Sequence, residues 1–202
     1  MKASLSLKTT TDSAVAADTC QAASLAQWGA TLPISADRGT TASECYLVTT
    51  DAFGMYAWRF VQQSPNWNPY LAVYDATGTQ VYNTYAWSGF GTVQLTAGQQ
   101  YRLEVSGSAG SNPAGYRLGL FEIAGSSGCA TATSTAFGTV PISGTFADGT
   151  ELGCRELTDP AGSLLRMDTQ STGSYVSATV FDAKGTSVCT WYAYSARRTT
   201  AA

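Results

Sequence analysis

A strand–turn–strand segment occurs twice in this chain, and it constrains the fold more than any other feature. The first copy spans residues 68–81 (NPYLAVYDATGTQV) and the second spans residues 175–188 (YVSATVFDAKGTSV), so that Asp75 matches Asp182 and Gly78 matches Gly185. An aspartate at the first position of a type I turn can cap the backbone with its carboxylate. A glycine at the fourth position tolerates the left-handed conformation that follows. The segment therefore predicts a β-hairpin in each copy.

The cysteines repeat with the same spacing. Cys20 and Cys45 are separated by 25 positions, and so are Cys129 and Cys154. We expect one disulfide in each copy and hence an oxidising compartment; the alternative is a set of buried free thiols. A zinc site is disfavoured, because the chain has no Cys-x-x-Cys pair and no histidine. Cys189 is left over, and it is either free or paired outside this chain.

The repeat predicts how the chain is divided. We expect an N-terminal strand-like segment at residues 1–19, a first repeat at 20–124, a short flexible linker at 125–128 and a second repeat at 129–202. The second copy is incomplete, because nothing after Cys189 matches residues 92–123. One interpretation is that the chain is a window from a longer array. The other is that residues 3–9, where leucine alternates with serine, donate a strand to one of the repeats.

Alternation of apolar and polar residues predicts the strands of the first copy. It occurs at residues 55–61, 92–95, 101–105 and 116–120, and turns rich in Gly, Pro and Asn separate these stretches. On the first of them, Tyr56, Trp58 and Phe60 share one face, which we assign to the core. No segment has a sustained helical period. The predicted fold class is all-β, with tandem antiparallel β-sandwich repeats.

Composition and charge argue against several classes of function. The chain is 44% hydrophobic and 12% charged, which is sufficient for a folded core. Its net charge of −3 and its pI near 4.8 argue against nucleic acid as a partner, since nucleic acid requires a basic patch. No apolar run approaches the length of a membrane span, and the N-terminus lacks the apolar stretch of a signal peptide. We therefore expect no membrane partner and no signal peptide within this chain.

The sequence also argues against catalysis. The absence of histidine removes Ser-His-Asp and Cys-His arrangements and most metal sites. A carboxylate pair such as Asp51 and Asp75 is the remaining route to hydrolysis, but the turn already accounts for Asp75. We predict a protein that is not an enzyme, with no catalytic residue, no metal and no cofactor.

Three motifs of the first copy carry a family resemblance. They are NPYLAVYDATGTQV, TVQLTAGQQYRLEVSG and AGYRLGLFEI. Together they resemble the bacterial pre-peptidase C-terminal (PPC) domain, over residues 44–122 and the first half of the second copy. The resemblance implies a jelly-roll-like sandwich that is appended to secreted enzymes and is not itself catalytic. Some members of the family bind collagen or other insoluble polymers.

Calcium is associated with some members of that family, but no matching cluster of acidic ligands is found in this sequence. Asp37 with Glu44, and Asp148 with Glu151, are candidates for such a site only because each pair lies in a predicted loop. Calcium requires six or more converging oxygens. We therefore expect these side chains to be solvated carboxylates in loops.

Aromatic residues are the remaining functional signal. Trp67 and Tyr70 flank the turn-like SPNWNP segment, and Tyr85, Trp87 and Phe90 lie in YAWSGFG between predicted strands. Aromatic rings in loops can stack on sugar rings or contact a protein polymer. The alternative is that they are buried under long loops at the end of the sandwich. The second copy lacks tryptophans at the positions of Trp67 and Trp87, so we place the site in the first copy.

The function that we predict is that of a non-catalytic accessory or adhesion module, secreted or at the cell surface. Its partner would be an insoluble polysaccharide or a matrix protein, bound through the loop aromatics. The alternative is a structural spacer or assembly repeat. In that case the open second sandwich would pair with another copy of the chain, or with a neighbouring domain of a longer protein.

Overall fold

The computed structural model describes residues 19–38, 43–51, 54–63, 67–86, 89–109, 114–125, 128–132, 135–136, 138, 143, 152–160, 162–164, 166–169, 176–193 and 198–201. The regular elements within these residues are β-strands, which confirms the all-β fold class. In this part of the chain no helix is long and apolar enough to cross a membrane. Residues 3–9, for which we predict a donated strand, lie outside the described residues.

The first repeat is built from two sheets. One consists of β1 (Gln21–Ala22), β3 (Ser43–Thr49), β8 (Gln100–Ala109), β5 (Trp67–Tyr74) and β6 (Gln80–Tyr85), in that spatial order. The other consists of β2 (Ile34–Arg38), β9 (Ala114–Glu122), β4 (Gly54–Gln62) and β7 (Phe90–Leu95). Neighbouring strands are antiparallel, except that β1 is parallel to β3. Strands β4, β7, β8 and β9 contain the four alternating stretches of the sequence, so those strand predictions are confirmed.

The two sheets enclose one apolar core, as in a β-sandwich. Tyr56, Trp58 and Phe60 project into it from β4, and each is at most 3% exposed. Leu71 and Val73 of β5 meet them from the other sheet, and both are fully buried. Alternate residues of each strand face inward because successive side chains of a strand point to opposite sides of the sheet. The assignment of the three aromatic residues to the core is confirmed.

The first Asp-x-x-Gly turn forms as predicted. Asp75 Oδ1 accepts hydrogen bonds from the backbone N–H groups of Thr77 and Thr79, at 2.9 Å each. Gly78 has a φ of +82° and donates its N–H to the carbonyl of Asp75. The bond from the Thr77 hydroxyl, followed by the backbone bond from Thr79, holds the pKa of the Asp75 carboxyl below its usual value.

The second turn repeats this geometry. Asp182 Oδ1 accepts from the backbone N–H groups of Lys184 and Thr186, at 2.9 and 2.8 Å. Gly185 has a φ of +79° and donates to the carbonyl of Asp182. The backbone bond from Thr186 contributes most to lowering the pKa of the Asp182 carboxyl. The same local chemistry therefore makes the same turn in both repeats.

Both predicted disulfides are present. Cys20 is bonded to Cys45 and Cys129 to Cys154, with Cα atoms 4.8 and 4.7 Å apart. Cys189 is half-buried and has no disulfide partner among the described residues. Two disulfides in one chain indicate an oxidising compartment outside the cytoplasm.

The second repeat contains short sheets that parallel those of the first. Strands β10 (Ala130–Thr131) and β11 (Arg155–Glu156) form a parallel pair directly after the second disulfide, as β1 and β3 do after the first. Strands β13 (Val176–Phe181) and β14 (Ser187–Ala193) form the predicted hairpin. Strands β12 (Arg166–Thr169) and β15 (Arg198–Ala201) pair antiparallel, as β4 and β7 do in the first repeat.

A second apolar cluster lies on the outer face of the four-stranded sheet. Ala57 and Phe121, both fully buried, form it together with Leu32. Trp28 covers Phe121, with ring centroids 4.9 Å apart, and Leu152 of the second repeat packs against the same cluster. The two repeats therefore share an apolar contact.

Three glycines and one hydrogen bond mark the close approach of the repeats. The backbone N–H of Gly29 donates to the carbonyl of Leu152 at 2.9 Å. A Cβ at Gly185 would lie 2.9 Å from the Cβ of Met55, so the second hairpin turn lies against β4. A Cβ at Gly128 would lie 2.8 Å from the carbonyl oxygen of Trp28. Gly128 and Gly185 therefore have no room for a side chain.

Candidate functional site

The structure places four of the five predicted aromatic residues on strands, so the assignment of these four to loops was wrong. Tyr70 lies in β5, Tyr85 ends β6 and Phe90 begins β7. The prolines and asparagines before Tyr70 predict a turn. Pro69 nevertheless lies within β5, and its carbonyl accepts a hydrogen bond from the backbone N–H of Ala86. A strand tolerates proline at a position where its missing N–H is not needed.

The structure describes less of the two predicted tryptophans than of the other aromatic residues. Trp67 is the first residue of β5, three positions before Tyr70, but its side chain lies outside the described part of the structure. Trp87 lies outside the described residues altogether. Their role in binding stays a prediction.

Tyr70 and Tyr85 meet on the outer face of the five-stranded sheet. They are Cα partners across β5 and β6, and their ring centroids are 5.5 Å apart with an interplanar angle of 73°. Tyr85 is 63% exposed, whereas Tyr70 is half-buried. Phe90 is 38% exposed and lies on the other sheet. Two of the five predicted residues, Tyr70 and Tyr85, thus form an edge-to-face ring pair whose Tyr85 ring is open to solvent.

Sequence reasoning missed the neighbours of this pair. The guanidinium of Arg102 lies 4.4 Å from the ring centroid of Tyr74, its Cα partner across β5 and β8. Arg102 also forms an ion pair with Glu104, with Nη2 and Oε2 3.9 Å apart. The signal was available in the sequence, because Tyr74 and Tyr70 occupy outward positions of the same strand and Arg102 and Glu104 are the outward residues of β8.

These five residues form what we call the tyrosine face: Tyr70, Tyr74, Tyr85, Arg102 and Glu104. Ala72 lies at its centre and is only 2% exposed, although it points away from the main core. The larger side chains around Ala72 therefore cover it. The tyrosine face is a packed layer, and most of its side chains are held in place before any ligand arrives.

Glu44 has an environment that the sequence did not predict. It lies in β3 and not in a loop, and its Oε2 accepts hydrogen bonds from the hydroxyls of Tyr116 at 2.5 Å and Tyr46 at 3.2 Å. The two hydroxyls are 2.7 Å apart. The expectation of a solvated loop carboxylate at Glu44 was wrong, because two tyrosines from different sheets converge on it. Asp37 also lies in a strand, β2.

No metal-binding group is found in the described part of the chain. Within it, no three His, Cys, Asp or Glu side chains are placed to hold one ion. Asp148 and Glu151, the second acidic pair, lie outside the described residues.

Burial changes the titration of the two tyrosines beside Glu44. It raises the pKa of Tyr46 to about 12. Burial also raises the pKa of Tyr116, and the hydrogen bond to Glu44 raises it further. In the unfolded chain both hydroxyls titrate near pH 10. Above that pH the unfolded state releases protons that the folded state retains, so this stabilisation is complete below pH 10 and is lost as the pH rises.

We expect the protein to be destabilised at alkaline pH for this reason. At pH 11 each of the two tyrosines should lower the free energy of unfolding by about 1.4 kcal/mol relative to pH 8. Urea unfolding at both pH values measures the loss, in a Cys189→Ala background that prevents exchange of the disulfides with a free thiolate. Tyr116→Phe should show about half the loss. An equal loss in both proteins would contradict the assignment.

Comparison with known proteins gives structural likeness only. No family model matches the chain, and no curated protein matches it. The pre-peptidase C-terminal domain of a collagenase from Bacillus anthracis is 11% identical, with a TM-score of 0.41, over 50% of this chain and 93% of that domain. The Yersinia pseudotuberculosis-derived mitogen is 10% identical, with a TM-score of 0.38, over 44% of this chain and 81% of that protein.

A third similar structure is PliG from Aeromonas hydrophila, a periplasmic inhibitor of g-type lysozyme. It is 13% identical, with a TM-score of 0.35, over 50% of this chain and 97% of the inhibitor. The collagenase domain is of the kind that the sequence resembles. At these identities and TM-scores, none of the three supports a statement about the ligand of this chain.

Proposed function

We propose that the protein is a non-catalytic binding module, secreted or at the cell surface, whose ligand is an insoluble polysaccharide. The observation that carries the proposal is the exposed ring of Tyr85, held edge-on against Tyr70 on the tyrosine face. The ring of a tyrosine offers an apolar surface on which the C–H face of a sugar can stack, and its hydroxyl can bond to a sugar hydroxyl.

The outward side chains of β6 extend this surface. Val81 is 43% exposed, and Asn83 and Tyr85 follow it at alternate positions of the strand, both exposed. Because a strand rises by about 3.3 Å per residue, this stripe is about 13 Å long. An apolar group, an amide and an aromatic ring in a row suit a ligand that alternates apolar faces and hydroxyl groups.

Charge supports a neutral ligand. The charged groups of the tyrosine face, Arg102 and Glu104, neutralise each other, and their side chains are only 11% and 16% exposed. The chain as a whole has a net charge of −3. Stacking on a rigid ring therefore contributes more to binding than electrostatic attraction does.

The non-catalytic and extracellular parts of the proposal have separate support. The sequence contains no histidine, and the described residues contain no group of three or more His, Cys, Asp or Glu side chains placed to hold a metal ion. The two disulfides are consistent with secretion.

Binding to polymers tests the proposal. The oxidised protein would be incubated with cellulose, chitin, peptidoglycan and collagen, and the retained fraction measured as a function of polymer concentration. We expect retention on a polysaccharide, and Tyr85→Ala should weaken it at least about tenfold with the melting temperature unchanged. Tyr70→Ala should weaken it less. Trp67→Ala and Trp87→Ala test the two predicted tryptophans.

The second repeat supplies a matched control. Tyr192 ends the corresponding stretch of β14 and is 50% exposed, but Ser177 occupies the place of Tyr70. Tyr192→Ala should therefore leave retention unchanged. Retention on collagen alone would replace the polysaccharide by a protein polymer, and retention on none of the polymers would overturn the proposal.

A second candidate function is that of a structural assembly repeat. It is favoured by β13, which pairs only with β14 among the described residues. An assembly subunit should associate with itself, so light scattering at increasing protein concentration distinguishes the two. A mass that stays at the 21.1 kDa of the monomer would disfavour self-assembly.

A further inference from the structure

Among the described residues, the hairpin of the second repeat has an unpaired edge at β13, where the corresponding edge of the first hairpin is paired. In the first repeat, β5 lies between β6 and β8, and it pairs with β8 along its whole length, from Trp67↔Ala109 to Tyr74↔Arg102. In the second repeat, β13 pairs with β14 and, among the residues that the structure describes, with no other strand. Within the described residues, the edge of β13 that faces away from β14 therefore has no strand paired with its backbone N–H and C=O groups.

The two hairpins are otherwise equivalent. Val73 pairs with Tyr82 in the first, and Val180 pairs with Cys189 in the second. Each hairpin has an irregularity in register immediately after this pair, before Tyr74 and before Phe181. The first repeat therefore shows what a complete version of the second hairpin contains.

The inner face of the second hairpin is incompletely covered. Leu71 and Val73 are fully buried in the first repeat, whereas the matching Ala178 and Val180 are only half-buried. The indole Nε1 of Trp191, opposite Ala178, is shielded from water and has no acceptor within the described residues. Within the described residues, the inner face of this hairpin therefore has less apolar cover than the inner face of the first.

We propose that the free edge of β13 binds an extended segment of another polypeptide, which adds to the hairpin as an antiparallel strand. The segment carries apolar side chains at alternate positions, as β8 does at Tyr101, Leu103 and Val105. Since β8 places Leu103 opposite Val73 and Val105 opposite Leu71, the added strand places apolar residues opposite Val180 and Ala178. Backbone hydrogen bonds provide the affinity and the two side chains set the register.

The sequence of β13 favours this mode of binding. The strand, VSATVF, contains no charged residue and no proline, which are the usual means by which proteins block strand addition at an edge. Ala178 is smaller than its counterpart Leu71, which lies opposite Val105 of β8. The partner's side chain opposite Ala178 is therefore larger than valine. This proposal does not depend on the tyrosine face, and the two can fail separately.

Hydrogen exchange with a peptide probe tests the proposal on the whole oxidised chain. The probe is a synthetic peptide with the sequence of residues 98–109, GQQYRLEVSGSA. With saturating peptide, the amides of residues 176–181 that face away from β14 should exchange about tenfold more slowly, whereas those of β5, already paired with β8, should not change. A control peptide with the residues at positions 103 and 104 exchanged loses the alternation and should have no effect.

Two variants locate the contact. Ala178→Asp places a charge on the inner face and should abolish the effect of the peptide, whereas Ser177→Asp, on the exposed outer face, should retain it. The exchange experiment on the unmodified chain does not depend on either variant remaining folded.

Three results would overturn the proposal. One is unchanged exchange of β13 with saturating peptide. Another is protection of β13 as strong as that of β5 without peptide at every protein concentration, which would mean that the chain covers its own edge. The third is protection that increases with protein concentration together with a doubled mass, which would identify a second copy of the chain as the occupant.

Discussion

Replacing Cys20 and Cys45 by alanine is expected to lower the free energy of unfolding by about 3.5 kcal/mol. The disulfide closes a loop with a sequence separation of 25, and a cross-link of that size removes much of the conformational entropy of the unfolded chain. The same bond anchors β1, which has only two residues and pairs with β3 at Gln21↔Tyr46. Urea unfolding followed by tryptophan fluorescence measures the loss.

The second disulfide is a matched control. Cys129 and Cys154 have the same separation of 25, so the chain-entropy contribution is equal. If the two repeats unfold as one unit, either double alanine variant should shift the single transition by a similar amount. If they unfold separately, each variant should shift only one of two transitions. A loss below about 1 kcal/mol in both would contradict the entropic argument.

The parts of the fold that the sequence predicted depend on short-range chemistry. The two Asp-x-x-Gly turns need only a carboxylate and a glycine within four positions, so Asp75 and Gly78 are sufficient to predict the first turn. Strand β4 likewise follows from alternation within one stretch, because Tyr56, Trp58 and Phe60 must share a face of any strand. The cysteine pairing depends on contacts distant in sequence, and it was predictable only because the spacing occurs twice.

The parts that were missed depend on partners distant in sequence. Glu44 and Tyr116 are separated by 72 positions, and no pattern near Glu44 indicates that a tyrosine will reach it. The tyrosine face was missed for the same reason, since Arg102 contacts Tyr74 only through the pairing of β8 with β5. Tyr70 was chosen as a surface aromatic residue but was placed in a loop. The proline and asparagine beside it are typical turn residues, and whether a strand accepts them depends on the hydrogen bonds that its neighbouring strands require.

Phe121→Ala is expected to lower the free energy of unfolding by about 3–5 kcal/mol, in the range for a fully buried phenylalanine. Phe121 is 0% exposed and lies in the cluster with Leu32 and Ala57 on the outer face of the four-stranded sheet. The ring of Trp28 covers it, and the indole Nε1 of Trp28 donates to the carbonyl of Glu122 at 3.0 Å, which fixes the ring in place. The surroundings therefore cannot close over the missing ring, and urea unfolding measures the cavity that remains.

Leu152 makes this prediction a test of how the repeats are joined. It belongs to the second repeat, is half-buried and packs on the same cluster, so Leu152→Ala should cost about half as much as Phe121→Ala. Because the two side chains share a cluster, their effects should not add: a double-mutant cycle should give a coupling of at least about 0.5 kcal/mol. Additive losses would show that the repeats do not support each other. Coupling, by contrast, would mean that the two repeats unfold as one cooperative unit. A strand that binds at β13 would then also stabilise the first repeat.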